Sequence, residues 1–332
     1  MKLLVMGIIT TSLFLGTVLT GCTNTKAPTT PSAGTNNLSP TPREGTADKA
    51  QRPANIIKVI TSISVLADII HQVGQDRVIV KTIVPAGADP HTFQPTPQDV
   101  REISEGSIIF VNGMGLEGPI ENLIRASGKS SSRIIVLSDG LQPQAGAQQD
   151  QRGNEGDDNS HIAGNPHLWL DVSMTEQYVQ HIEKELASID PAGASIYEKN
   201  ANKYLSELND LDKWIKQQIG TIPQEKRKLV TFHDAFPYYA KRYGLDLVGV
   251  VLRSPDREPS AREIADLVDR VKRENVRTVF AEPQFNARVL EVVAREAGVK
   301  VATLYSDTTD NKITGYSAMM RYNTEQIVNG LR

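Results

Sequence analysis

The chain has 332 residues, 23% of them charged, and a formal net charge of −3. That near-balance gives no electrostatic reason to expect nucleic acid as a partner. Cys22 is the only cysteine, so an intramolecular disulfide and a cysteine-based zinc site are both excluded.

Residues 1–21 read as a signal peptide. Lys2 gives a short positive region, and Leu3 to Leu19 is almost unbroken apolar or small residue. The run is short for a membrane span and ends on small residues, as a cleaved export signal does. Leu19-Thr20-Gly21-Cys22 resembles the bacterial lipobox, which makes Cys22 the expected lipidation site. Acyl chains there would anchor the protein to a membrane surface without crossing it. Nothing later in the sequence is long and apolar enough to span a bilayer. Residues 22–55 are rich in Thr, Pro and Ser and poor in large apolar residues, the composition of a flexible tether.

From Ile56 short β-branched runs alternate with helical patterns. Ile56–Ser62 reads as a strand, Val65–Val73 as a helix stopped by Gly74, and Val78–Val84 as a strand. Thr96-Pro97-Gln98-Asp99 combines an N-cap, a first-turn proline and a reciprocal acid, opening a helix to about Glu105. Strand Ser107–Val111, a helix near Leu116–Ala126 and strand Arg133–Leu137 follow. The polar segment from Ser138 to Asn165 has no periodicity, and a loop of that length is usually functional or mobile. Met174–Leu186 reads as a helix, closing an N-terminal lobe over 56–189.

Asp190-Pro191 then opens a helix running to about Gly220. Its apolar positions Tyr197, Ala201, Tyr204, Leu208, Leu211, Ile215 and Ile219 are spaced by fours and threes. That is one buried stripe over roughly 29 residues, about 43 Å of helix, which suits a strut between lobes. We assign 190–221 to this linker. A C-terminal lobe, 222–332, repeats the alternation. Its strands are Leu229–Phe232, Leu245–Leu252, Thr278–Ala281 and Val299–Leu304. Its helices are Ala235–Tyr243, Ala261–Glu274 (capped by Ser260 and Glu263), Ala287–Ala297 and Tyr316–Leu331. Strand–helix alternation with short connections predicts an α/β protein with a parallel sheet in each of two lobes.

Ligands of open parallel sheets bind beyond the carboxyl ends of the strands. His91, His167, His233 and Asp307 all fall on such edges, two in each lobe. A lone histidine after a strand is usually a hydrogen-bonding loop residue, but joint placement of three makes a shared site the economical reading. Imidazole nitrogen and carboxylate oxygen suit a divalent cation such as Zn²⁺. Glu282, at the end of its strand, rivals Asp307 as the carboxylate donor. His71 and His181 lie inside helices and read as surface or capping residues, and His161 as part of a solvated loop. Asp234 and Glu258 read as charges that support a donor or face solvent.

At these residues the chain resembles the solute-binding proteins of zinc and manganese ABC importers, the TroA/ZnuA-like group. The likeness runs from about Ile57 to Leu331. It is carried by the ordered set of Pro85 to Pro97 around His91, Asn165 to Asp171 around His167, Phe232-His233-Asp234-Ala235-Phe236, the Arg257-to-Ser260 run and Met319 to Asn323. The resemblance implies two αβ lobes joined by a long backbone helix with metal in the cleft. The ligands it implies are His91, His167, His233 and Asp307. It further implies an extracytoplasmic, membrane-anchored monomer whose partner is a cognate ABC importer permease.

Manganese-directed relatives tend to carry a carboxylate where this chain has His233. Three imidazoles and one carboxylate suit Zn²⁺, with Mn²⁺, which prefers more oxygen, as the alternative. Many zinc-directed relatives have a histidine-rich loop where Gln144–Ser160 is rich in Gln, Asp and Gly. A zinc enzyme would keep an open position for water, and the sequence has no His-Glu-x-x-His helix, so no catalysis is expected. A surface adhesin is the other alternative within this group.

Overall fold

Two four-stranded parallel sheets with the same strand order organise the computed structural model, which describes residues 56–126, 133–142, 164–252 and 257–332. The expected signal peptide, Cys22, the tether, His161 and the Gln144–Ser160 stretch lie outside these residues. In chain order the first lobe contains β1 (Ile57–Thr61), α1 (Ser64–Gly74), β2 (Val78–Thr82), α2 (Pro97–Glu105), β3 (Ile108–Val111), α3 (Gly118–Ala126) and β4 (Ile134–Val136). The sheet runs β2-β1-β3-β4, every pair parallel. Strand β3 is buried along its whole length, as expected of a central strand covered on both faces. At the start of α2, the Asp99 carboxylate accepts the Thr96 N–H at 2.6 Å, and Pro97 fills the first turn.

Two helices follow, α4 (Val172–Ile189) and α5 (Ala194–Gly220). The 27 residues of α5 span about 40 Å. All seven residues of the apolar stripe are buried, from Tyr197 to Ile219. The helix begins later than the sequence suggests, after a single 3₁₀ turn at Pro191–Gly193. Asp190 is not its cap; the N-cap position is Gly193, with no side-chain bond. The Asp190 carboxylate takes Arg77 at 2.6 and 2.9 Å and the Tyr197 hydroxyl at 2.7 Å.

The second lobe contains β5 (Lys228–His233), α6 (Pro237–Tyr243), β6 (Asp246–Leu252), α7 (Ala261–Arg273), β7 (Thr278–Ala281), α8 (Arg288–Ala297), β8 (Lys300–Thr303) and α9 (Tyr316–Leu331). Its sheet runs β6-β5-β7-β8. Ser260 and Glu263 cap α7 reciprocally, and α6 and α8 stop at Gly244 and Gly298, both left-handed. Helix α6 starts at Pro237 rather than Ala235, because the Ala235 N–H turns back to the His233 carbonyl at 2.9 Å.

A single apolar core joins the lobes along α5, running from Leu66 through Leu208 to Tyr239 and Met320. A second core, around Val230, Leu267 and Val293, lies under α7 and α8. The one acid buried in the α5 face, Asp212, is compensated by Arg242 at 2.7 and 2.9 Å and Lys216 at 2.6 Å. Arg242 also reaches Asp171 and Ser173 at the start of α4, so the strut is tied to both lobes. No helix among the described residues is long and apolar enough to cross a membrane.

Candidate metal centre

Each of the four sequence-predicted donors is placed by a different piece of local structure. His91 sits in the loop after β2, where the Asp89 carboxylate accepts the His91 N–H at 3.0 Å and the Thr92 hydroxyl at 2.7 Å. Such Asx bonding gives a loop a defined turn without a ladder. His167 follows Asn165-Pro166 and leads into a buried 3₁₀ turn, Leu168–Leu170. The Asn165 side-chain oxygen accepts both the His167 N–H at 3.0 Å and its Nδ1–H at 2.8 Å. Behind this turn the Asn112 amide donates to the Pro166 carbonyl at 2.8 Å, and Asn112 is itself held by the Tyr178 hydroxyl and by Glu117. Burial pushes the Glu117 carboxyl up from its ordinary value.

His233 is the last residue of β5. Glu282 stands one residue beyond neighbouring β7, and its carboxylate accepts the His233 backbone N–H at 3.1 Å and lies 2.8–2.9 Å from Nδ1. Asp307 follows β8 by four residues and is fully buried. Gln284 donates to its Oδ2 at 3.1 Å.

The three histidines turn their Nε2 atoms to one point, shared with the Asp307 carboxylate. Separations are 3.3 Å for His91–His167, 3.1 Å for His233–His167, 3.1 Å for His167–Asp307 and 3.3 Å for His233–Asp307, with His91–Asp307 at 4.0 Å. All four donor atoms lie within 4.8 Å of one another. A tetrahedron with bonds of ~2.0–2.1 Å has edges of about 3.3–3.4 Å, so the four shorter separations fit a cation at the centre, and His91–Asp307 is the one wide edge.

Proton placement fits as well. The Asn165 and Glu282 oxygens can only accept, so Nδ1 carries the proton on His167 and His233, and in the neutral ring Nε2 is left with its lone pair. Asp307 Oδ1 is buried without a hydrogen-bond partner although His167 Nε2 is only 3.1 Å away. With the His167 proton on Nδ1, both atoms bring lone pairs to the same point, as two donors around one ion would.

Charge follows from burial and neighbours. Burial lowers His91 to about 4, only partly offset by Asp307, and burial also lowers His167. At His233 burial acts the same way, but the Glu282 and Asp307 carboxylates outweigh it and hold the imidazole well above its ordinary range. Burial likewise works against the Asp307 charge, yet His167 and His233 keep its carboxyl well below the usual carboxylate range.

The other sequence candidates stand apart from this point. Glu282 engages the far side of the His233 ring. The Asp234 backbone carbonyl accepts the Asn165 amide, Glu258 and His71 are exposed, and His181 bonds the Leu137 carbonyl at 3.2 Å. Sequence reasoning missed Asn165, Asn112, Gln284 and Trp169, whose ring packs against His167 at 5.3 Å. Asn165 had a signal, standing two residues before His167 as Asp89 stands before His91; Gln284 had none.

Two parallel-sheet lobes braced by one long helix, with a nitrogen- and carboxylate-lined centre between them, define a solute-binding protein for metal cations. The chain belongs to the family described as zinc-uptake complex component A, periplasmic, which matches residues 59–330. Among its relatives, the manganese-binding lipoprotein MntA of Halalkalibacterium halodurans is 33% identical over 83% of this chain and 88% of that protein. The manganese ABC transporter substrate-binding lipoprotein PsaA of Streptococcus pneumoniae is 30% identical over 87% and 92%. Among solved structures, a crystal structure of ZnuA superposes with a TM-score of 0.72 at 28% identity, over 84% of this chain and all of that one. A manganese-bound periplasmic metal-binding protein from Candidatus Liberibacter asiaticus gives 0.72 at 25% identity, over 83% of this chain and all of that one.

Proposed function

We propose that this protein captures a divalent transition metal outside the cytoplasm and delivers it to the permease of an ABC importer. It works as a monomer anchored through lipid on Cys22, with lobes 56–189 and 222–332 acting about the 190–221 helix. The observation that carries this reading is the convergence of three Nε2 atoms and one carboxylate, within 4.8 Å, at a buried point. His91, His167, His233 and Asp307 are the ligands, and Glu282 and Asn165 orient two of the imidazoles. Four protein donors would close the shell and leave no position for an attacking water, which favours carriage over hydrolysis.

The cargo we propose is Zn²⁺, because three neutral imidazoles and a single carboxylate make a nitrogen-rich set. The second reading is Mn²⁺, supported by the names of MntA and PsaA. The soluble domain purified without a metal-binding tag should carry Zn²⁺ by elemental analysis and keep it in competition with excess Mn²⁺. Retention of Mn²⁺ against equimolar Zn²⁺ would reverse the assignment, and failure to bind either would end it. At a thousandfold excess of ligand over Kd, binding to the folded state alone adds about 4 kcal/mol of stability. A matching rise in Tm is therefore expected.

A further inference from the structure

The segment between β8 and α9 belongs to the C-terminal lobe by chain order, and Asp307 with it, but many of its bonds cross to the other lobe. One residue before Asp307, the Ser306 carbonyl accepts the Trp169 indole N–H at 2.9 Å. One residue after it, the Thr308 hydroxyl accepts the Gly87 N–H at 2.7 Å, on the loop that carries His91. Thr309 donates its N–H to the Ser64 hydroxyl at 2.9 Å, with its own hydroxyl 3.1 Å from the same oxygen.

At the far end, the N-terminus of α9 is capped from the other lobe. Its N-cap position is Gly315 at φ 85°, which has no side chain to offer. The Asp68 carboxylate, on α1, accepts the Tyr316 N–H at 2.8 Å instead. A Cβ at Gly315 would stand 3.0 Å from that carboxylate, so the approach itself calls for glycine there. Within its own lobe Asp307 has the Gln284 amide, and Ser306 donates to Glu282.

We propose that residues 306–316 form a strap that positions Asp307 from the N-terminal lobe, with Ser64 and Asp68 as positioning residues for cation retention. The carboxylate then travels with His91 and His167, and separation of the lobes draws it away from His233. This rests on the reading of Asp307 as a cation ligand given above.

The test is a double-mutant cycle on the soluble domain, with Zn²⁺ affinity read by competition against a chromophoric chelator and Zn²⁺ release read by stopped flow. Ser64→Ala and Asp68→Asn should each weaken binding roughly three- to tenfold, mostly through faster release. Neither should cost anything further in an Asp307→Ala background, because the group they position is gone. A merely structural role would weaken binding equally in both backgrounds. Ser64→Thr, which keeps the hydroxyl, should restore retention, and Ser64→Ala serves alone if Asp68→Asn does not fold. Equal losses with and without Asp307, or unchanged affinity in both single variants while Asp307→Ala weakens binding, would overturn the strap. Zn²⁺ affinity indifferent to Asp307→Ala would instead remove the ligand reading, and the strap with it.

Discussion

The two sheets share one strand order, yet they present their donors by different means. In the C-terminal lobe His233 is itself the end of a buried strand, and Glu282 from the neighbouring strand grips both its backbone and its ring. In the N-terminal lobe His91 and His167 stand on loops, held by short Asx-type bonds from Asp89 and Asn165. A strand end inherits its position from the ladder and the core, whereas a loop residue has only what its near neighbours supply. One topology thus yields a rigid half-site and a locally tethered one.

Removing the carboxylate donor, which the strap ties across the two halves, should have the largest effect. Asp307→Ala deletes the one carboxylate among the described residues that faces the proposed cation, and a loss of roughly a hundredfold or more in Zn²⁺ affinity is expected in chelator competition. Glu282→Ala should cost less, about ten- to a hundredfold, because it frees the His233 ring without removing a donor. Equal losses would make Glu282 a ligand and erase the distinction between holding and coordinating. In the tethered half, Asn165→Ala should cost about tenfold at most. A larger loss there than for Glu282→Ala would invert the comparison.

The smallest and most specific effect concerns pH. His233 is held above its ordinary value of 6.5 in the metal-free fold. Its contribution to metal-free stability is therefore full below about 6.5 and is lost as pH rises through the raised value. Zn²⁺ must displace that proton, so affinity should rise with pH across the same window, in the opposite sense. His91, lowered to about 4, is already neutral between pH 6 and 8 in the folded protein and should release no proton to Zn²⁺ there. Calorimetry in buffers of different ionisation enthalpy should register proton release near neutral pH, and His233→Gln should abolish it. Unchanged release in that variant would move the proton to the other half-site.

Much of this was legible in the sequence, because the signals were local or periodic. The α5 stripe repeats at helical spacing, the Thr96–Asp99 and Ser260–Glu263 boxes mark helix starts, and strand ends announce where ligands gather. The four side chains that converge could be singled out because each lies in a motif beyond a strand. The misses share another physics. Asp190 looks like the cap of α5 until Arg77, 113 residues away, claims its carboxylate. Gln284 and Trp169 reach the centre only through tertiary approach, and no spacing rule reveals that α9 takes its cap from Asp68. Side chains that act across the seam are invisible to periodicity.

The position of a bound ion tests the four-donor site most directly. Anomalous diffraction at the zinc edge, from crystals of the zinc-loaded soluble domain, should place one ion among His91, His167 and His233 Nε2 and the Asp307 carboxylate. Bonds of ~2.0–2.2 Å and no exchangeable water in the shell are predicted. An ion held by Glu282 in place of Asp307, or bound to only one lobe, would contradict it.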